Sequence, residues 1–206
     1  MDDKGYQFTA DWFSHNAATW RPLLEAAAPS KVLEIGSYEG RSTCFLIETL
    51  GARRTYDIYC VDPWENSNFH GTDMEPVERH FDANIAIARS AAPFKGSVSK
   101  LKGHSSEILP RMLASGHRGS FDLVYVDGSH EAPDVLLDAV LSFHLCRTGG
   151  LLIFDDYLWS ADPEGPQDIL KMPKPAIDAF VNIFRKKLHI VEKIPLYQLY
   201  LHKIAA

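Results

Sequence analysis

Hydrophobic positions in this chain fall in short dense runs, separated by longer stretches where they recur every three or four residues. The dense runs are KVLEIG at about 31–36, YDIYCVD at 56–62, VSKLKG at 98–103, FDLVYVD at 121–127 and GLLIFD at 150–155. Val, Ile, Leu and Tyr fill them, which predicts parallel strands covered on both faces. Helical spacing occupies the intervals near 40–51, 75–91, 105–116 and 133–147. This alternation predicts an α/β, doubly wound, Rossmann-like sheet with helices on both faces. Right-handed crossovers leave it few topologies.

The two ends depart from the alternation. An aromatic-rich segment over roughly 9–28, with Trp12, Phe13 and Trp20, predicts a helical cap that covers one mouth of the site. After a helix near 174–187 come LHIVEKI and PLYQLYLHKI, two strands with almost nothing between them and Pro195 at the joint. They predict an antiparallel pair added to the parallel sheet. At 206 residues and 46% hydrophobic, the chain suits one domain. It would comprise the cap to about 28, a core over about 30–160 and a C-terminal unit over about 174–206. The connections near 64–75 and 157–173 are long, and read equally as functional lids or as surface insertions.

Charge and cysteine usage narrow the classes. A formal charge of -6 gives no footprint for nucleic acid or an anionic membrane. No apolar stretch approaches the roughly 20 residues of a membrane span. The N-terminal MDDKGYQFTADWF lacks the apolar run of a signal peptide. Cys44, Cys60 and Cys146 lie in apolar segments, without CxxC or HExxH spacing. They read as core residues of a reduced, cytoplasmic protein without structural zinc.

Candidate chemistry begins at VLEIGSYEGRS, 32–42, a strand running into a glycine turn and a helix. Gly36 and Gly40 permit a tight turn and close approach of a ligand. The spacing is GxxxG rather than GxGxxG, and no GK[ST] follows, so neither a pyrophosphate cradle nor a P-loop fits. Glu34, two residues before the turn, would favour a cationic or amino ligand. Asp62 ends the second strand, where an acid accepts hydrogen bonds from ribose hydroxyls. A ribose without a pyrophosphate, together with a cationic group, describes S-adenosylmethionine better than NAD. Pro63 and Trp64 offer flat surfaces for adenine, and Trp64 reads equally well as core.

Asp127 ends the fourth strand, and Asp155 and Asp156 end the fifth. Three converging carboxylates would repel one another, and a hard divalent cation removes the conflict. Mg²⁺ is the expected ion, with Mn²⁺ or Ca²⁺ as alternatives. The competing reading is that one acid of the pair caps a loop. Both can point inward only if the strand ends between them. His130 lies three residues after Asp127, and an imidazole, whose free pKa is near neutral, suits a general base. It could instead bond to the acids or cap the helix that Pro133 announces.

The blocks VLEIGSYEGRS, IYCVD, KGHSSEILP, FDLVYVDGSH and GGLLIFDDY stand in the order and spacing of a known family. Over about residues 30–160 the chain resembles the class I S-adenosylmethionine-dependent methyltransferases. Among them it is similar to the small-molecule O-methyltransferases: the catechol O-methyltransferase type and the related bacterial group that methylates sugars and natural products. The resemblance implies a seven-stranded sheet in the order 3-2-1-4-5-7-6 with strand 7 antiparallel. It implies that Glu34, Gly36, Ser37, Tyr38, Gly40 and Ser42 hold the methionine end and sugar of the cofactor. Asp62, Pro63 and Trp64 would receive ribose and adenine. His104, Ser105 and Ser106 would lie by the adenine, at positions that also read as a helix N-cap. Asp127 would face both cofactor and metal.

Two positions depart from the catechol-type pattern: Asp156 stands where that pattern carries Asn, and His130 where it carries Lys. The expected activity is methyl transfer to a hydroxyl of a small molecule, with no nucleic-acid or membrane partner and with a homodimer allowed. Trp12, Trp20, Trp64 and Trp159 are candidate walls of the acceptor pocket, and His15, His70 and His80 are weaker candidates. The alternatives are a metal-independent methyltransferase relying on His130 alone and a non-catalytic module that only binds the cofactor.

Overall fold

Five strands run parallel: β1 (Lys31–Ile35), β2 (Asp57–Asp62), β3 (Ser97–Lys102), β4 (Phe121–Val126) and β5 (Cys146–Phe154). Two more, β6 (Leu188–Ile190) and β7 (Leu199–Lys203), pair antiparallel with each other, and β7 also pairs antiparallel with β5. The sheet order is β3-β2-β1-β4-β5-β7-β6, as the resemblance implies. This is a computed structural model, and it describes residues 5–66, 73–161 and 164–206.

Side-chain alternation along the strands divides the interior in two. Val32, Ile58, Cys60, Leu123, Tyr125 and Ile153 face one cluster, closed by α1 (Ala17–Ala27), α2 (Arg41–Gly51) and α3 (Met74–Ala91) through Trp20, Phe45 and Phe81. Leu33, Ile35, Val61, Val124, Leu152 and Phe154 face the other. That face is closed by α4 (Ser105–Ala114), α5 (Ala132–Leu145) and α6 (Pro173–Phe184) through Leu109, Phe143 and Phe180. A strand buried on both faces needs apolar residues of both parities, hence the unbroken apolar runs. The three cysteines are buried in these clusters as free thiols.

Several expectations are corrected. The N-terminal helical segment starts later than residue 9: a 3-10 turn spans Ser14–Asn16 and α1 follows it. The Asp11 side chain accepts from Ser14 N at 2.9 Å, which fixes that start. The two C-terminal strands are not adjacent in sequence. β6 stops at Ile190, and residues 191–198, including Pro195, are irregular before β7 begins. Strand β5 starts at Cys146, directly after α5, and shifts register between its pairs with Phe121 and Leu123. The connection near 157–173 contains a 3-10 turn at Ile169–Lys171.

Candidate active site

The carboxyl ends of β2, β1, β4 and β5 are laced together by backbone. Gly36 N donates to Val61 O at 2.8 Å, Asp127 N to Ile35 O at 2.8 Å and Asp155 N to Val126 O at 2.9 Å. Gly36 has φ +84°, and a Cβ added there would lie 1.9 Å from the Asp127 carbonyl oxygen. Only glycine lets the turn after β1 rest on the end of β4. Gly40, at φ +79°, is the N-cap residue of α2.

Glu34 is buried beneath this turn. Its carboxylate accepts from Ser37 Oγ at 2.7 Å, from Ser42 Oγ at 2.6 Å and from the Thr43 hydroxyl. Burial pushes its pKa up against these three donors. Glu34 is thus the internal anchor of the turn, closed off by hydroxyls rather than presented to a cation. Asp62 closes the turn from the β2 side. One oxygen accepts from Ser37 N at 3.0 Å and Tyr38 N at 2.9 Å, the other from Trp64 N at 2.8 Å. Burial raises its pKa too.

Trp64 lies in the core rather than on an open adenine face: it is 3% exposed, packs on Phe81 at 4.8 Å and donates its indole N–H to Tyr38 O. Pro63 beside it is half-buried. His104 is the N-cap residue of α4 with no side-chain cap bond. Ser105 and Ser106 form the first turn of α4, and Ser105 faces the Asp138 carboxyl on α5.

The acids at the ends of β4 and β5 do come together. The Tyr125 hydroxyl bonds to Asp127 Oδ2 at 2.8 Å and to Asp155 Oδ2. Tyr125 and Asp127 are two positions apart on one strand and share a face, so β4 itself brings them together. A phenol has one proton, so it donates to one carboxylate and accepts from the other when that one is protonated. Burial, then the neighbouring charges of Asp155 and Asp156, hold Asp127 well above the usual carboxylate range. Gln198 Nε2 donates to Asp155 Oδ2 at 2.5 Å, and Asp156 N donates to Asp155 Oδ1 at 2.8 Å. β5 ends at Phe154, before both acids, and Asp156 then takes φ +55°, a left-handed conformation that points the two acids to different partners. Its carboxylate meets His130 Nε2 at 2.8 Å and accepts from the Tyr197 hydroxyl at 2.9 Å.

The chemistry of this donor set suits a hard cation, but its arrangement does not. Asp155 and Asp156 turn their oxygens to Tyr125, Gln198, His130 and Tyr197. Among the described residues no group of three His, Cys, Asp or Glu side chains is arranged to hold a metal ion.

The aromatic candidates separate. Trp20 is core, fully buried, with its indole N–H bonded to Gln198 Oε1 at 2.8 Å. Trp12 is 60% exposed and lies against Tyr38 at 4.8 Å. Trp159 covers His130, with ring centroids 4.1 Å apart. His15 meets Tyr197 edge-on, and His80 pairs with Glu39 at 2.8 Å. His70 lies outside the described residues.

Glu39, Tyr125, Tyr197 and Gln198 were not singled out from the sequence. Glu39 is an acid inside a glycine turn, and Tyr125 precedes Asp127 by two on a strand; both signals were readable. Tyr197 and Gln198 carried none, because only the β5–β7 pairing brings them to the acids.

A Rossmann-like sheet with a glycine turn after its first strand and acids at its second, fourth and fifth strand ends defines a class of nucleotide-type cofactor folds. Residues 33–157 match the family described as methyltransferase domain, and the chain belongs to that family. It is 29% identical over 132 residues to O-methyltransferase hkm8 of Aspergillus hancockii, covering 64% of this chain and 44% of that protein. It is 20% identical over 160 residues to caffeoyl-CoA O-methyltransferase 1 of Eucalyptus globulus, covering 70% and 61%. The chain thus spans about half of the length of the curated relatives it matches. Among solved structures, it aligns with the O-methyltransferase TomG of Streptomyces achromogenes, solved in complex with SAM, at a TM-score of 0.66 and 16% identity, covering 95% of this chain and 82% of that one. An O-methyltransferase of Bacillus cereus in complex with SAH aligns at 0.63 and 16%, covering 95% and 84%.

Proposed function

We propose that this chain is an S-adenosylmethionine-dependent O-methyltransferase acting on a hydroxyl of a small molecule. The pairing of His130 Nε2 with Asp156 Oδ2 at 2.8 Å, beside the turn that ends β1, carries the reading. The relatives that bear O-methyltransferase names support the reaction class. When bound, the cofactor would supply an electrophilic methyl group on its sulfonium, and the acceptor oxygen would take that methyl as the sulfur leaves as a neutral thioether. With Nε2–H donated to Asp156, the basic lone pair of His130 is that of Nδ1, and it takes the hydroxyl proton. Asp156 holds the ring in that tautomer and stabilises the imidazolium that forms, as the carboxylate does in a Ser-His-Asp triad.

The cofactor residues are assigned accordingly. Backbone of Gly36, Ser37 and Tyr38 faces the methionine end, and Gly40 and Ser42 shape the turn. Asp62 exchanges its bonds to that turn for the ribose hydroxyls. Ser105 and Ser106, flanked by His104, lie toward the adenine. Trp159 and Tyr197 bound the acceptor.

Asp127, Asp155 and Asp156 have the oxygen chemistry that Mg²⁺ takes, but their arrangement does not fit the ion. As arranged they bond to protein donors, and no step is routed through a metal.

Calorimetry with S-adenosylhomocysteine tests the cofactor assignment: binding in the micromolar range is expected, and none at millimolar ligand would remove it. With turnover established on a panel of catechol and polyhydroxylated acceptors, His130→Ala is expected to lower kcat by about 10²–10⁴-fold, the usual contribution of a general base. Unchanged turnover of that variant removes the base. Turnover in excess chelator decides the metal: full retention discards it, and loss restored by Mg²⁺ supports it.

A further inference from the structure

The glycine turn is clamped by a segment without regular structure. Residues 6–12 precede the first 3-10 turn and cross α2, α3 and the turn itself. Glu39, between Tyr38 and Gly40, is the centre of this clamp, with 1% exposure. Its carboxylate accepts from Thr9 N at 2.6 Å and Thr9 Oγ1 at 2.9 Å, and it pairs with His80 of α3 at 2.8 Å. Its carbonyl accepts from Asn84 Nδ2 at 2.9 Å. Asn84, also on α3, brackets Gln7: its amide oxygen accepts from Gln7 N at 2.7 Å, and its amide nitrogen donates to Gln7 O at 3.0 Å. Arg41, the first residue of α2, donates to Ala10 O at 3.1 Å and lies 4.1 Å from the Phe8 ring centroid. Trp12 then rests on Tyr38.

Every one of these links ends on the turn or on the two helices that flank it. A buried carboxylate without donors is costly, so Glu39 and the segment hold each other in place. The turn that this clamp shapes is the one assigned to the cofactor's methionine end. We propose that Glu39 is a positioning residue for cofactor binding: it couples docking of the strap formed by residues 6–12 to the cofactor-ready shape of the Ser37–Gly40 turn. This rests on the cofactor reading given above. Linkage is reciprocal, so cofactor binding must tighten the strap as much as the strap tightens cofactor binding.

Thr9 is exposed and outside the core, so Thr9→Pro removes both strap donors to Glu39 without threatening the fold. Glu39→Gln disturbs the clamp from the other side. S-adenosylhomocysteine is the probe, titrated by calorimetry, with hydrogen exchange of residues 6–12 followed with and without it. In the wild-type chain the ligand is expected to slow exchange of the strap. Thr9→Pro and Glu39→Gln are each expected to raise Kd by about tenfold, the order of one charge-assisted hydrogen bond, and the double variant by no more than either alone. A purely structural clamp would lower thermal stability but leave Kd within twofold and strap exchange insensitive to ligand, and either result overturns the proposal. No binding by the wild-type chain overturns the cofactor reading instead.

Discussion

Asp138 is a carboxylic acid with 1% exposure on α5, and its Oδ1 has no hydrogen-bond partner among the described residues. Burial pushes its pKa up to about 7; the Ser105 hydroxyl opposes the shift and Asp134 adds to it. Its folded-state pKa lies above the unfolded value, so the native state holds this proton more tightly. The resulting stability is fully present below about pH 4 and is lost as pH rises through about 7. A shift of this size is worth at most on the order of 4 kcal/mol. Asp138→Asn keeps the shape and removes the charge. The variant is expected to equal or exceed the wild-type melting temperature at pH 8, and to lose that advantage at pH 5. Parallel melting curves with a constant gap at both values would contradict the assignment. The Ser105 hydroxyl sits on this acid, so the same titration reaches the first turn of α4.

At the scale of elements, the sheet is pinned at the end opposite the site by Asp122. Its carboxylate accepts from Ser30 N, Ser30 Oγ and Lys31 N at the entry to β1, and from Arg147 Nε of β5 at 2.6 Å. Partial burial pushes this acid up, but Arg147 and the backbone donors outweigh it and hold it at about 2. Asp122→Ala frees three adjacent strands at one end. It is expected to cost about 2–3 kcal/mol in urea unfolding, with the denaturant slope unchanged. A loss below half a kcal/mol would show that the pin is redundant.

The elements also show what the residues alone could convey. β1, β2, β4 and β5 were legible because a strand buried on both faces is built mainly of apolar residues; β3, at the sheet edge with no buried residue, was legible only from its place in the alternation. Gly36 was legible as a turn residue, though not the reason it must be glycine, which is the carbonyl of Asp127. Segment 9–13 reads as helix from its aromatics, but Phe13 packs on Trp20 and Phe45 while residues 6–12 spend their polar groups on the turn. The acids at three strand ends were visible because strand polarity alone places them together. Their hydrogen-bond partners were not visible, because Gln198 and Tyr197 arrive through a pairing formed far away in sequence.

For the whole molecule, one buried chain of contacts ties both ends of the sheet's history to the acids. Trp20 Nε1 and the Tyr200 hydroxyl both donate to Gln198 Oε1, and Gln198 Nε2 donates to Asp155. An indole N–H can only donate, so the amide has one orientation, with its nitrogen toward the acid. Gln198→Leu leaves that N–H and the Asp155 oxygen short of partners. A cost of about 2–4 kcal/mol is expected from the lowered urea midpoint. A midpoint equal to wild type would show that water replaces the amide at no cost.

The Trp20–Gln198 bond has a temporal consequence. Its partners are 178 positions apart. During synthesis the glycine turn and the Asp127 end of β4 can meet while β7 is still to be made. Asp155 and Asp156 then lack the amide and phenol that aim them. A growing chain therefore acquires its glycine turn first, and the bonds from Gln198 and Tyr197 that aim Asp155 and Asp156 last.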